Sequence, residues 1–127
     1  MLDKILCEIK DALETNELFG IPIGGDFNEL LSRPEFSEPL KIEKNNYDYG
    51  QFVVERYEDV ILVIRMRPEK EVSLPDVLSL FGEGEVNTTS QYKFLSYSSE
   101  NVYILFSFGL ETDILQRIDV SSTIFMD

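Results

Sequence analysis

The 127-residue chain has no histidine, a single cysteine, and eleven lysine and arginine residues against twenty-four aspartates and glutamates. Each shortage closes off a kind of chemistry. Without histidine there is no His-based acid–base pair, no His-containing triad and no His-bearing zinc site. Cys7 stands alone, so no internal disulfide can form and no second thiol can complete a redox pair. Its place in a helical pattern predicts a small buried or half-buried residue. The formal charge of −13 opposes bare nucleic acid and anionic membranes, because the long-range field repels phosphate. Neither is expected as a partner. No apolar stretch approaches the roughly 18 residues of a membrane span. The N-terminal "MLDKILCEIKDALETNELFG" lacks the uninterrupted apolar run of a signal peptide. A cytoplasmic location is expected.

Cofactor loops are missing too. "GEG" at 82–84 has neither the spacing nor the Lys-Ser/Thr of a phosphate loop. "NNYDYG" at 45–50 misplaces its oxygen ligands for calcium, and no Glu follows where one is needed. The acid pairs Glu83/Glu85 and Glu58/Asp59 fall in expected turns, where solvated charge is the default and a catalytic dyad lacks a cleft. No enzyme, metal or cofactor is expected.

What remains describes one compact domain over residues 1–127. Forty-three per cent of residues are hydrophobic, and nine Phe and six Tyr are available for a core. Leu2, Ile5, Leu6, Ile9 and Leu13 recur at helical spacing and predict an N-terminal helix within 1–19. Asp26, with Glu29 three residues on, predicts a capped short helix that Pro34 stops. "PLKIE", "QFVVERY" and "VILVIRM" read as strands, the last two joined at Glu58-Asp59. In the third, alternation places Val60, Leu62, Ile64 and Met66 on one face, with Ile61, Val63, Arg65 and Arg67 on the other. The two arginines are expected to pair with acids there.

The program then repeats. Ser73 caps a helix with Asp76 three residues later, Pro75 in its first turn and Gly82 at its end. Counted from the caps, Phe27, Leu30 and Leu31 match Leu74, Val77 and Leu78 at a spacing of 47 residues. "YKFLSY", "VYILFSF" and "LQRIDV" follow as strands, with Val102, Ile104, Phe106 and Phe108 alternating in the middle one. The expectation is an α+β fold with two helix-plus-three-strand repeats, at 20–68 and 72–121. Their strands form one antiparallel sheet with the helices on one face.

The G-x-x-x-G of Gly20 and Gly24, the helix at 26–33, and the Tyr49-Gly50 pair resemble the tandem-repeat fold of β-lactamase inhibitory protein and the SmpA/OmlA-type lipoproteins. The second copy carries Ser73 to Gly82 and Tyr97. That resemblance implies an open sheet used as a protein-binding face.

These readings converge on a protein-binding inhibitor. The specific expectation is an immunity protein that neutralises a basic toxin, for example a nuclease. Acidic turns at Glu58, Asp59, Glu83, Glu85, Glu111 and Asp113 would meet the partner's cations, and Tyr47, Tyr49 and Tyr97 would supply buried anchors. Two alternatives stand beside it. One is an assembly subunit that oligomerises through its sheet; the other is a small-molecule-binding domain with an apolar pocket between helices and sheet.

Overall fold

The computed structural model describes residues 4–125. Helix α1 spans Lys4–Thr15 and buries Leu6, Ile9 and Ala12. Leu2, the first residue of the predicted stripe, lies outside the described residues. The helix stops short of the expected 1–19 because Asn16 adopts a left-handed conformation, φ 62°, a common way for a helix to terminate. Cys7 faces solvent, contrary to the expected burial. It sits one position off the stripe that packs inward.

A two-stranded hairpin, β1 (Glu17–Leu18) with β2 (Ile21–Pro22), turns through Phe19 and Gly20, φ 56° and 78°. Helix α2 (Phe27–Leu31) follows, capped by Asp26, whose carboxylate accepts from the Asn28 amide at 2.9 Å. Glu29 turns instead to Arg33, four residues on, at 3.0 Å. Pro34 does not simply end the helix; it opens a single 3-10 turn over Pro34–Phe36. Strands β3 (Lys41–Glu43), β4 (Asn46–Asp48), β5 (Val53–Tyr57) and β6 (Val60–Met66) then run as a meander. Helix α3 (Leu74–Phe81) carries the full capping box predicted from Ser73 and Asp76, and ends at Gly82, φ 85°. Strands β7 (Glu85–Thr88), β8 (Tyr92–Ser98), β9 (Val102–Gly109) and β10 (Leu115–Ser122) form a second meander.

The eight strands from β3 onward make one antiparallel sheet in the order β3-β4-β5-β6-β10-β9-β8-β7. The last strands of the two meanders pair at its centre, so an approximate two-fold axis runs between β6 and β10. The fold is α+β, as the patterning predicts, with four strands after each repeat helix rather than three.

The repetition reaches individual hydrogen bonds. Each helix cap bridges the start of its meander's last strand, Asp26 to Val60 and Ser73 to Ile114. Phe27 donates to the Asp59 carbonyl at 2.7 Å, and Leu74 to the Asp113 carbonyl at 2.9 Å. Each of these last strands also carries one extra residue against its neighbour. Leu62 is the surplus residue in β6 and Gln116 in β10, by the registers that pair Ile61 with Arg56, Val63 with Glu55, Leu115 with Phe108 and Arg117 with Ser107.

The bulge at Leu62 corrects the predicted facing of β6. Strict alternation would bury Val60 and Leu62; the extra residue resets the phase, and Ile61, Ile64 and Met66 are buried instead. In β9 the alternation holds, and Val102, Ile104, Phe106 and Phe108 are all fully buried. The helices share this face: α1 packs over β9, Phe27 of α2 meets Tyr47 of β4, and Phe81 of α3 packs edge-on against Phe106. No described helix covers the other face.

Candidate functional site: the uncovered face of the sheet

Residues directly paired in register share a face, so the uncovered face can be read from the pairings. Across its middle run Val53 and Glu55 of β5, Val63 and Arg65 of β6, Asp119 and Arg117 of β10, Leu105 and Ser107 of β9, and Phe94 of β8. Charge is organised here as a ladder. Glu55 meets Arg65 at 3.1 Å; Arg65 meets Asp119 at 3.0 Å; the second oxygen of Asp119 meets Arg117 at 3.1 Å. Asp119 is buried, and its two guanidinium partners make that burial tolerable.

Arg65 therefore pairs with acids as expected, but Arg67 does not. Among the described residues Arg67 has no ion pair or hydrogen bond, and it is exposed. It lines a groove of about 420 Å³ at the end of the face, with Pro68, Tyr92, Phe94, Ser107, Leu115, Gln116 and Arg117. Tyr92 and Phe94 form one wall, their ring centroids 6.0 Å apart. Ser107 is buried and its hydroxyl has no partner among the described residues.

The tyrosines expected as anchors lie elsewhere, and this corrects the sequence reading. Tyr47 is buried in the helix-side core, packed on Phe27 with the Arg56 guanidinium 5.7 Å from its ring centre. Tyr49 and Tyr97 are half-buried structural ties. Tyr49 donates its hydroxyl to the Phe36 carbonyl at 2.9 Å, and Tyr97 donates to the Gly82 carbonyl at 2.7 Å, each fastening a strand to the end of its half's helical segment. Burial raises both phenol pKa values above the usual tyrosine value, with Tyr47 adding to the effect at Tyr49. Both phenols stay protonated donors at neutral pH.

The acidic residues stay at the surface but do not converge. Glu58 and Asp59 occupy the β5–β6 turn, Asp59 accepting from the Asn28 side chain at 3.0 Å. Glu111 and Asp113 sit in the β9–β10 turn at the opposite end of the sheet, a strand length or roughly 20 Å away. Asp113 is bound to Lys93 at 2.8 Å. Glu83 and Glu85 lie at the β7 edge; Glu85 is in the strand itself, not in a turn. The three acidic segments thus ring the sheet.

Sequence reasoning missed the groove because its residues come from four separate segments, and no local motif links them. Nothing in the local sequence marked Arg67 as different from Arg65, since Glu69 stands two residues on as a possible partner.

The whole fold is similar to the crystal structure of a DUF4309 family protein, YjgB, from Bacillus subtilis subsp. subtilis str. 168, with a TM-score of 0.68 at 14% identity over 94% of this chain and 96% of that one. At that identity the likeness concerns fold alone. No family model matches the chain, and neither does any curated protein. No described helix is long and apolar enough to cross a membrane.

Proposed function

We propose that this protein is a binding module that captures a basic protein on the uncovered face of its sheet, as an immunity protein or toxin inhibitor does. One observation carries the reading: a broad sheet face with no described helix over it, ringed by carboxylates that few cations neutralise. Among the described residues only Glu29, Glu43, Glu55, Asp113 and Asp119 take part in ion pairs. The remaining acids leave a negative field that speeds encounter with a cationic partner and rejects acidic ones. In this reading the anchors are Tyr92, Phe94, Tyr103 and Leu105, because the register places them on the uncovered face.

The test compares two surfaces. Lysate from the source organism is passed over the wild-type protein, a face variant (Tyr92→Asp with Leu105→Asp) and a helix-side variant (Leu78→Asp). The proposal expects a basic protein retained by the wild type and by Leu78→Asp but lost from the face variant. Retention by all three would move the interface off this face.

A second reading rests on a separate observation. The two edge strands expose apolar side chains, Leu40 at 77% and Ile42 at 57% beside and on β3, and Val86 at 50% on β7. Open, apolar edges favour strand pairing between copies. A concentration-dependent mass that Ile42→Lys abolishes would support self-assembly.

A further inference from the structure

The groove at the end of the uncovered face carries chemistry that an acidic chain has little reason to assemble. The register that pairs Ile118 with Met66 and Asp119 with Arg65 leads, one step further, to Arg117 facing Arg67. Like charges at facing positions destabilise a sheet. The local carboxylates do not cancel them. Three arginines (Arg65, Arg67 and Arg117) share two acids, Glu55 and Asp119, and both acids bind Arg65. One positive charge is left over, on a chain that is otherwise strongly negative.

A second observation points the same way. Ser107 sits opposite Arg117 on one side and Phe94 on the other, is only 4% exposed, lines the groove, and has no partner for its hydroxyl among the described residues. A buried polar atom without a partner is costly and calls for an explanation. The bulge at Gln116 adds an amide to the same lining. Bulges are used to re-aim side chains next to sites.

The frame does not dictate these residues. Aligning the halves on Val60 and Ile114 sets Leu62 against Gln116, Val63 against Arg117, Glu55 against Ser107 and Asn46 against Phe94. The first half builds the same bulged strand without an arginine at these positions, and the buried polar atom it leaves there without a partner among the described residues is the Asn46 Oδ1.

We propose that the groove is a binding site for an organic carboxylate that carries a flat apolar group. The two guanidinium groups receive the carboxylate, the Ser107 hydroxyl donates to it, and Tyr92 and Phe94 flank the apolar part. The single surplus positive charge matches a monoanion better than a phosphate dianion. A free organic acid and the terminal carboxylate of an aromatic-ended peptide share this chemistry. The site shares Tyr92 and Phe94 with the protein-binding proposal but is argued from different observations, the arginines and the Ser107 hydroxyl.

The experiment titrates the full chain by NMR amide shifts with phenylacetate, N-acetylphenylalanine, neutral phenylacetamide and inorganic phosphate. Saturable shifts confined to the groove with a carboxylate, and about tenfold weaker binding of the amide, are expected. Stronger binding of N-acetylphenylalanine than of phenylacetate assigns the peptide-terminal source; the reverse order assigns the free acid. Arg67→Ala removes an exposed, unpaired side chain without disturbing the fold and should weaken carboxylate binding about tenfold. Ser107→Ala, a small internal change, should weaken it about threefold. Equal binding of acid and amide, preference for phosphate, or an Arg67→Ala protein that binds like the wild type would each overturn the assignment.

Discussion

The two halves share a backbone program and differ in what they display. Each half has a capped helix, a tyrosine tie to the end of that helical segment, a four-stranded meander and a bulged final strand. On the helix side the aligned positions are conservative in kind: Val54 lies against Phe106, Tyr47 against Leu95, and Ile64 against Ile118. On the uncovered side they diverge, with Glu55 and Val63 in one half and Ser107 and Arg117 in the other. Packing constrains the covered positions to apolar groups that fill space. The uncovered positions are free of that demand, so their chemistry carries information about binding.

The comparison can be broken first in the core. Phe106→Ala empties a fully buried site packed against Phe81 and Tyr97, and should cost about 3–5 kcal/mol in chemical denaturation. Val54→Ala, at the aligned position, deletes less and should cost about 2 kcal/mol. Equal costs would mean that the loss does not follow the apolar volume removed at the two aligned positions.

The caps come next. Ser73→Ala and Asp26→Ala should each lower stability by about 1 kcal/mol. The Ser73 variant should lose more, because only α3 has the reciprocal box. Tyr49→Phe and Tyr97→Phe sharpen the symmetry argument. Each removes one hydroxyl from a carbonyl, and the two should cost the same, about 1 kcal/mol, if the ties are equivalent.

The smallest expected effect is on pH. The Ser73 backbone amide, and then its hydroxyl, hold the Asp76 carboxyl below its usual range. A depressed folded-state pKa stabilises the fold above the unfolded value, near about pH 4, and that contribution is lost as pH falls through the folded value. The wild type should therefore lose slightly more stability on acidification than Asp76→Asn does. Thermal melts of both proteins across that range check this.

Much of this architecture was legible from local signals. Caps at Asp26 and Ser73, alternation in β9, and matching apolar offsets after each cap pointed to a repeated α+β fold. Strands β4 and β7 were not legible. Asn and Asp in "NYD" and the short "EVNT" have poor strand propensity, and only pairing with neighbours makes them strands. The facing of β6 was misread because a bulge leaves no mark in a run of five consecutive apolar residues. The tyrosines were misplaced for a related reason: a tyrosine that ties a strand to a helix end and one that faces a partner look alike until the register is known. Arg67 and Arg117 lie 50 residues apart in the chain, so their place in one groove is a product of the β6–β10 pairing.

The most direct test of the central claim rewrites the second half's corner with the first half's residues. The double variant Gln116→Leu, Arg117→Val is compared with wild type for thermal midpoint and for phenylacetate binding. A folded protein is expected, melting below wild type because Asp119 keeps only Arg65 of its two guanidinium partners, with binding that falls by about tenfold or more. Unchanged carboxylate binding in a folded variant would contradict the claim, and so would a variant that no longer folds.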